Sequence, residues 1–304
     1  MSKAKWGESF LKSGLPLEHL TAVTLKAQGL SCSTSIEYSR TEESGQETWF
    51  ELDLEAHFLD RNKDTSLSLL VECKYHDESR FWFFLPFEPK RWYFNDRVFN
   101  CGPLQTFTDP LSSSSLALAP LSHRGMVVSK DGKKQENAVH IAIKQIANAF
   151  VPVTLDTMFL YRLAAPRGYV PLPTCMVPMI VTNADIFRLR PDISDLAVIR
   201  KASSPSDIGQ KLSWTWCYYD PPMELSMRNE RSINAYKNQN KDLIARFPLV
   251  NTRLELWASR PNWIAVANVN CLEALIKAIR SHFLSLKTCR ARTALNKNRK
   301  VRLY

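Results

Sequence analysis

Glycine is scarce, with nine in 304 residues, and none sits in a phosphate-cradling pattern. G-x-G-x-x-G is absent, and "GMVVSKDGKK" (125–134) has the wrong spacing for a P-loop and no Ser or Thr after its lysine. Without an ATP site, any motor has to be a partner protein. H-E-x-x-H and G-x-S-x-G are also missing, which sets aside zincin proteolysis and α/β-hydrolase chemistry. The seven cysteines (32, 73, 101, 175, 217, 271 and 289) are odd in number and form no C-x-x-C pair. A structural zinc site needs closely spaced, converging ligands, so these thiols read as reduced and packed. No apolar run reaches about 18 residues, so no membrane span or membrane partner is expected. "MSKAKWGESFLKSG" lacks the apolar stretch of a signal peptide, so the expected location is cytoplasmic.

What is present is an ordinary globular composition, 45% hydrophobic and 23% charged, with a lopsided charge. Seven of the ten formal net positive charges lie in the last 18 residues: Lys287, Arg290, Arg292, Lys297, Arg299, Lys300 and Arg302, with no acid among them. Such a tail suits a polyanion, because neutralised phosphates release counterions; its alternative is a solvated end. The division expected is one domain over 1–286 and a basic tail over 287–304.

Along the chain, "GLPLEHLTAVTLKAQG" (14–29) has helical spacing, a first-turn proline and a terminal glycine. Strands follow near 31–40, 48–59 and 66–76. Residues 77–136 read as an inserted loop and aromatic segment, with "RFWFFLPFEPKRWYF" (80–94) at its start. "AVHIAIKQIANAF" (138–150) is an amphipathic helix, and "VTLDTMFLYRLA" (153–164) and "CMVPMIVTNADIFRL" (175–189) read as strands. A polar helix near 226–247, the strand "NWIAVANVN" (262–270) and a last helix (271–287) complete the pattern. Alternating strand and helix signals predict an α/β fold, a central mixed sheet flanked by helices.

The chemistry is concentrated in "ELDLEAHFLDRNKDTSLSLLVECKYH" (51–76). On strands, residues two apart share a face, so Glu72 and Lys74 project together. If the two strands form a hairpin, Asp53 comes beside Glu72. Two close carboxylates repel unless a cation sits between them, and Mg²⁺ or Mn²⁺ prefers oxygen ligands. The backbone carbonyl of Cys73 can add an oxygen. A neighbouring lysine can orient or deprotonate a water and stabilise charge on a phosphate. The bland alternative is a polar stripe with one cross-strand ion pair.

Asp53, an 18-residue gap and then Glu72-Cys73-Lys74 at the end of an apolar strand resembles the PD-(D/E)XK nuclease superfamily. The helix–strand–strand–strand order over the first half of the chain matches that family's core, a restriction-endonuclease-like fold with insertions. Leu52 stands where the family's motif has proline. The resemblance implies a metal-dependent nuclease with Asp53 and Glu72 as metal ligands, Lys74 as the catalytic lysine, and Glu18 on the first core helix completing the metal site. It also suggests a prokaryotic or antiphage defence role, with DNA ahead of RNA as substrate.

Further candidate nucleic-acid contacts are His57 and His76, on the faces of the acids, Lys144 and Gln145 on the second helix, and the basic tail. The aromatic runs 81–94 and 214–219 have base-stacking composition but suit a core or interface better. Two other readings stand beside the nuclease: a catalytically silent nucleic-acid-binding module on the same fold, and a regulatory subunit of a larger assembly. A protein partner or a homo-oligomer stays open.

Overall fold

The computed structural model describes residues 5–41, 44–60, 65–77, 79–87, 100–101, 120–131, 137–164, 174–246, 254–255 and 257–285. The chain is α/β, with one large mixed sheet flanked by helices. Helices α1 (Lys5–Lys12) and α2 (Leu15–Ala27) lead into strands β1 (Ser31–Thr41), β2 (Glu47–Asp60), β3 (Thr65–Lys74), β4 (Arg80–Pro86), β5 (Asn100–Cys101) and β6 (Leu121–Ser129). After α3 (Ala138–Ala164) come β7 (Thr174–Thr182), β8 (Asp185–Leu189), α4 (Leu196–Lys201), β9 (Gly209–Leu212), β10 (Trp214–Tyr218), α5 (Met223–Gln239), α6 (Lys241–Arg246), β11 (Trp263–Asn268) and α7 (Leu272–Ser285).

The strand order is β1-β2-β3-β7-β11-β10-β6-β4-β8-β9, with β5 paired to the start of β7. β1, β2 and β3 form an antiparallel meander, and β3, β7 and β11 run parallel. Those middle strands are apolar on both faces because helices cover both. Leu67, Leu69 and Val71 pack toward α2 and α7, whereas Leu70 packs toward α3. β7 and β11 divide their residues in the same alternating way.

Two stretches differ from the expectation drawn from sequence. The segment 77–136 is not a peripheral insertion throughout: β4 and β6 pair with each other inside the sheet, between β10 and β8. Trp82 and Phe84 are core residues, so this described part of the aromatic run serves packing. Residues 78, 88–99, 102–119 and 132–136 lie outside the described residues.

Residues 153–164, expected as a strand, continue helix α3 through Pro152. A proline inside a helix has no N–H to donate to the carbonyl four residues back, here Asn148. That carbonyl is supplied instead by the buried Arg40 of β1, whose Nε donates at 3.0 Å and whose Nη2 also donates. Arg40 Nη2 also donates to Asn229 Oδ1 at 3.1 Å, and Asn229 Nδ2 donates to the Ala258 carbonyl, so one side chain ties β1, α3 and α5 together. The 138–156 window of α3 is long and apolar enough by composition to cross a membrane, but 67% of it is buried within the protein. It is the helix at the centre of one core.

Candidate active site

β2 changes character at Asp53. Leu52 belongs to the core under α3, yet Leu54, two residues on, belongs to the core under α2 and α7. Residues two apart on a regular strand share a face, so the strand turns about its axis between them. Ser35, opposite Asp53, has φ 54 and drops out of the β1–β2 pairing. On the other side, the β2–β3 ladder stops at the Leu54–Val71 pair. Beyond it the Asp53 carboxylate continues the connection: Oδ2 accepts the Cys73 backbone N–H at 2.6 Å. Asp53 thus sits where β2 peels away from β3.

Glu72 is 1% exposed. Its Oε1 accepts from Lys74 Nζ at 2.6 Å, and its Oε2 is buried with no hydrogen-bond partner. Burial pushes this carboxyl up to about 7, and the Asp53 charge pushes the same way. Lys74 opposes them, and Glu18 adds a smaller upward push. Asp53 is also raised, first by burial, against the Cys73 N–H and Lys74. Glu18, in the first turn of α2 and half-buried, is raised by burial, then by Asp53 and Glu51, and lowered by Lys74. Four charged groups from α2, β2 and β3 therefore feel one another, and three of them are acids held above their ordinary range.

The Cys73 thiol donates to the buried Thr21 hydroxyl of α2 at 3.6 Å. Asn183, in the β7–β8 turn, clamps the chain after Lys74. It accepts the His76 N–H at 2.7 Å and donates to the His76 carbonyl at 2.6 Å. Asn268 in turn donates to the Asn183 and Ala184 carbonyls. Thr21, Asn183 and Asn268 brace the site and carry no sequence signal that singles them out. "TNAD" signals a turn, but no local pattern reveals that its Asn reaches a segment 107 residues away.

The remaining candidates are dispersed. His57 lies 3.3 Å from Glu55, which also accepts from Ser68, so this part of β2 is a polar stripe. His76 is buried against Trp82, with both ring nitrogens unpartnered; burial, then Arg80, lowers it to about 4. In this arrangement its ring is not offered to a phosphate. Lys144 is exposed on α3, and Gln145 is half-buried with its Oε1 unpartnered. Lys287, Arg290, Arg292, Lys297, Arg299, Lys300 and Arg302 lie outside the described residues.

Carboxylate oxygens are the ligands that Mg²⁺ and Mn²⁺ take. The unpartnered Glu72 Oε2 and the mutual strain of three acids are what a divalent cation relieves. Among the described residues, however, no three His, Cys, Asp or Glu side chains converge into a ready-made cage. The groups fit a hard cation chemically, and binding requires a shift of side chains, Lys74 foremost, since its ammonium sits on Glu72.

Comparison with protein-family models, with curated proteins and with solved structures gives no match to this chain.

Proposed function

We propose that this chain is a divalent-metal-dependent nuclease built on a restriction-endonuclease-like core, formed by α2, β1–β3, α3 and β7. The observation that carries the reading is Glu72: a buried carboxylate with one oxygen unpartnered, its pKa raised by burial and then by Asp53 and Glu18, and a lysine on its other oxygen at 2.6 Å. Asp53, Glu72 and Glu18 would hold Mg²⁺ or Mn²⁺, with the Cys73 carbonyl as a further oxygen. The ion would supply Lewis acidity to a scissile phosphate. The chain's own residues do the rest. Asp53, fixed by the Cys73 N–H, holds β2 and β3 in register at the point where they part. Lys74, released from Glu72, orients the attacking water and donates to a non-bridging phosphate oxygen. The basic tail supplies sequence-independent affinity for the phosphate backbone. DNA stands ahead of RNA as substrate, and a defence role remains part of the proposal.

A second reading, a silent nucleic-acid-binding or regulatory module on the same fold, is favoured by the lack of a preassembled three-ligand cage among the described residues. Calorimetric titration with Mn²⁺, run beside binding of labelled duplex DNA, single-stranded DNA and RNA, separates the two. The nuclease reading expects saturable Mn²⁺ binding that Glu72→Gln weakens at least tenfold. Salt-sensitive nucleic-acid binding with no Mn²⁺ binding supports the silent module instead.

A further inference from the structure

A second site lies away from the acids. Four strand steps separate β3 from β6, roughly 19 Å at about 4.8 Å per step. There, β4, β6 and the end of β8 form a floor, and α4 with the turn at Pro205–Asp207 forms a wall. The cleft between them has a volume of 780 Å³, within the range of small-molecule sites. Phe81, Phe83, Val128, Leu189 and Ile208 make it apolar, and among the described residues no Asp or Glu lines it. Arg124 and Lys130 are its charged lining residues among those described.

Arg124 is there by a costly device. Phe84 pairs with Gly125 and Leu85 with His123, so Arg124 is bulged out of the β4–β6 ladder, with φ 43. Bulges re-aim a side chain, and strained backbone of this kind clusters at binding sites. Gly125 makes the bulge feasible: a Cβ there would lie 2.5 Å from the Phe84 ring and 2.7 Å from Val139. The exposed Arg124 guanidinium makes no hydrogen bond or ion pair among the described residues. Asp207, the acid within the wall turn but not among the lining residues, is occupied by the amides and hydroxyls of Ser203 and Ser204.

We propose that this cleft binds a small amphipathic anion: a planar aromatic body against Phe81 and Phe83, with a carboxylate or sulfonate on Arg124. A purely apolar ligand leaves the guanidinium unpaired, and a cation is repelled by the Arg124 charge. Phe83 stacks on Phe187 at 5.5 Å and 15°, and Phe81 meets Phe83 at 6.0 Å and 67°, so the floor offers a bound ring aromatic partners in two orientations.

The test uses the full chain and two fluorescent probes of similar body. 8-Anilinonaphthalene-1-sulfonate carries the anion; N-phenyl-1-naphthylamine does not. The sulfonate should bind saturably at one equivalent. Arg124→Gln should weaken it roughly tenfold, the worth of one charge-assisted contact, while leaving the neutral probe within about twofold. Ala202→Trp, which grows a ring into the cleft, should weaken both probes. Glu72→Gln should change neither, which separates this site from the acids. Urea midpoints at or near that of the wild type show that both cleft variants fold; if Ala202→Trp does not, Arg124→Gln decides alone. Sulfonate binding that is unsaturable, or unchanged in Arg124→Gln, overturns the proposal.

Discussion

Replacing Glu72 with glutamine should stabilise this protein above neutral pH and make almost no difference in acid. Glu72 is 1% exposed, and its carboxyl is pushed from an ordinary 4.5 up to about 7. A raised carboxyl means that the folded state holds a proton that the unfolded chain has released. Stability therefore falls as pH rises from about 4.5 to about 7, and stays lowered above that. Over that interval the cost is about 3 kcal/mol. Glutamine has nearly the same shape, carries no charge and still accepts from Lys74. Its loss of the charged half of that pair offsets part of the gain, leaving a net of about 1–3 kcal/mol at pH 8. Urea unfolding of both proteins at pH 5 and pH 8 measures the difference directly. His76, which weakens the fold in acid, is common to both proteins and cancels. Adding Mg²⁺ at pH 8 should stabilise the wild type by mass action and leave the variant unmoved. If the variant is destabilised at pH 8, or its advantage does not grow between pH 5 and pH 8, Glu72 is not a strained, cation-seeking carboxylate.

Two further outcomes follow from buried polar groups. Arg40→Met should cost roughly 2–4 kcal/mol, because it strands the Asn148 carbonyl and Asn229 Oδ1. Adding Pro152→Ala returns an N–H to that carbonyl, so the double variant should recover at least about 1 kcal/mol, read as non-additivity in urea midpoints. His76→Leu should stabilise the protein increasingly as pH falls from about 6.5 toward 4. The wild-type imidazole stays neutral to about 4 in the fold, while the unfolded chain takes a proton earlier; thermal unfolding at pH 5 and pH 7 checks the sign.

Period-two alternation made the site's strands readable. Asp53, Glu72 and Lys74 sit at positions that strand geometry brings together, and their charge on otherwise buried strands singles them out. Glu18 was legible only through the family resemblance, because nothing local ties α2 to β2 and β3. The turn of β2 at Asp53 leaves no trace in the alternation, since Leu52 and Leu54 look equivalent until each joins its own core. Residues 153–164 are β-branched and aromatic enough to resemble a strand after Pro152. The helix survives there because Arg40, more than 100 residues earlier, fills the hydrogen bond the proline lacks. β4 and β6 were hard to see for a related reason: their partners are each other and the distant β10 and β8, not their chain neighbours. Apolar patterning fixed which faces are buried; long-range pairing decided which strands sit side by side.

The most direct test of the central claim is cleavage of supercoiled plasmid, linear duplex, single-stranded DNA and RNA in Mg²⁺, Mn²⁺ or EDTA. Wild type is compared with Lys74→Ala and Glu72→Gln, each verified as folded. The account predicts cutting of at least one substrate in Mg²⁺ or Mn²⁺, none in EDTA, and a loss of at least about 100-fold in both variants. Cutting that persists in EDTA, or in either variant at the wild-type rate, would contradict it.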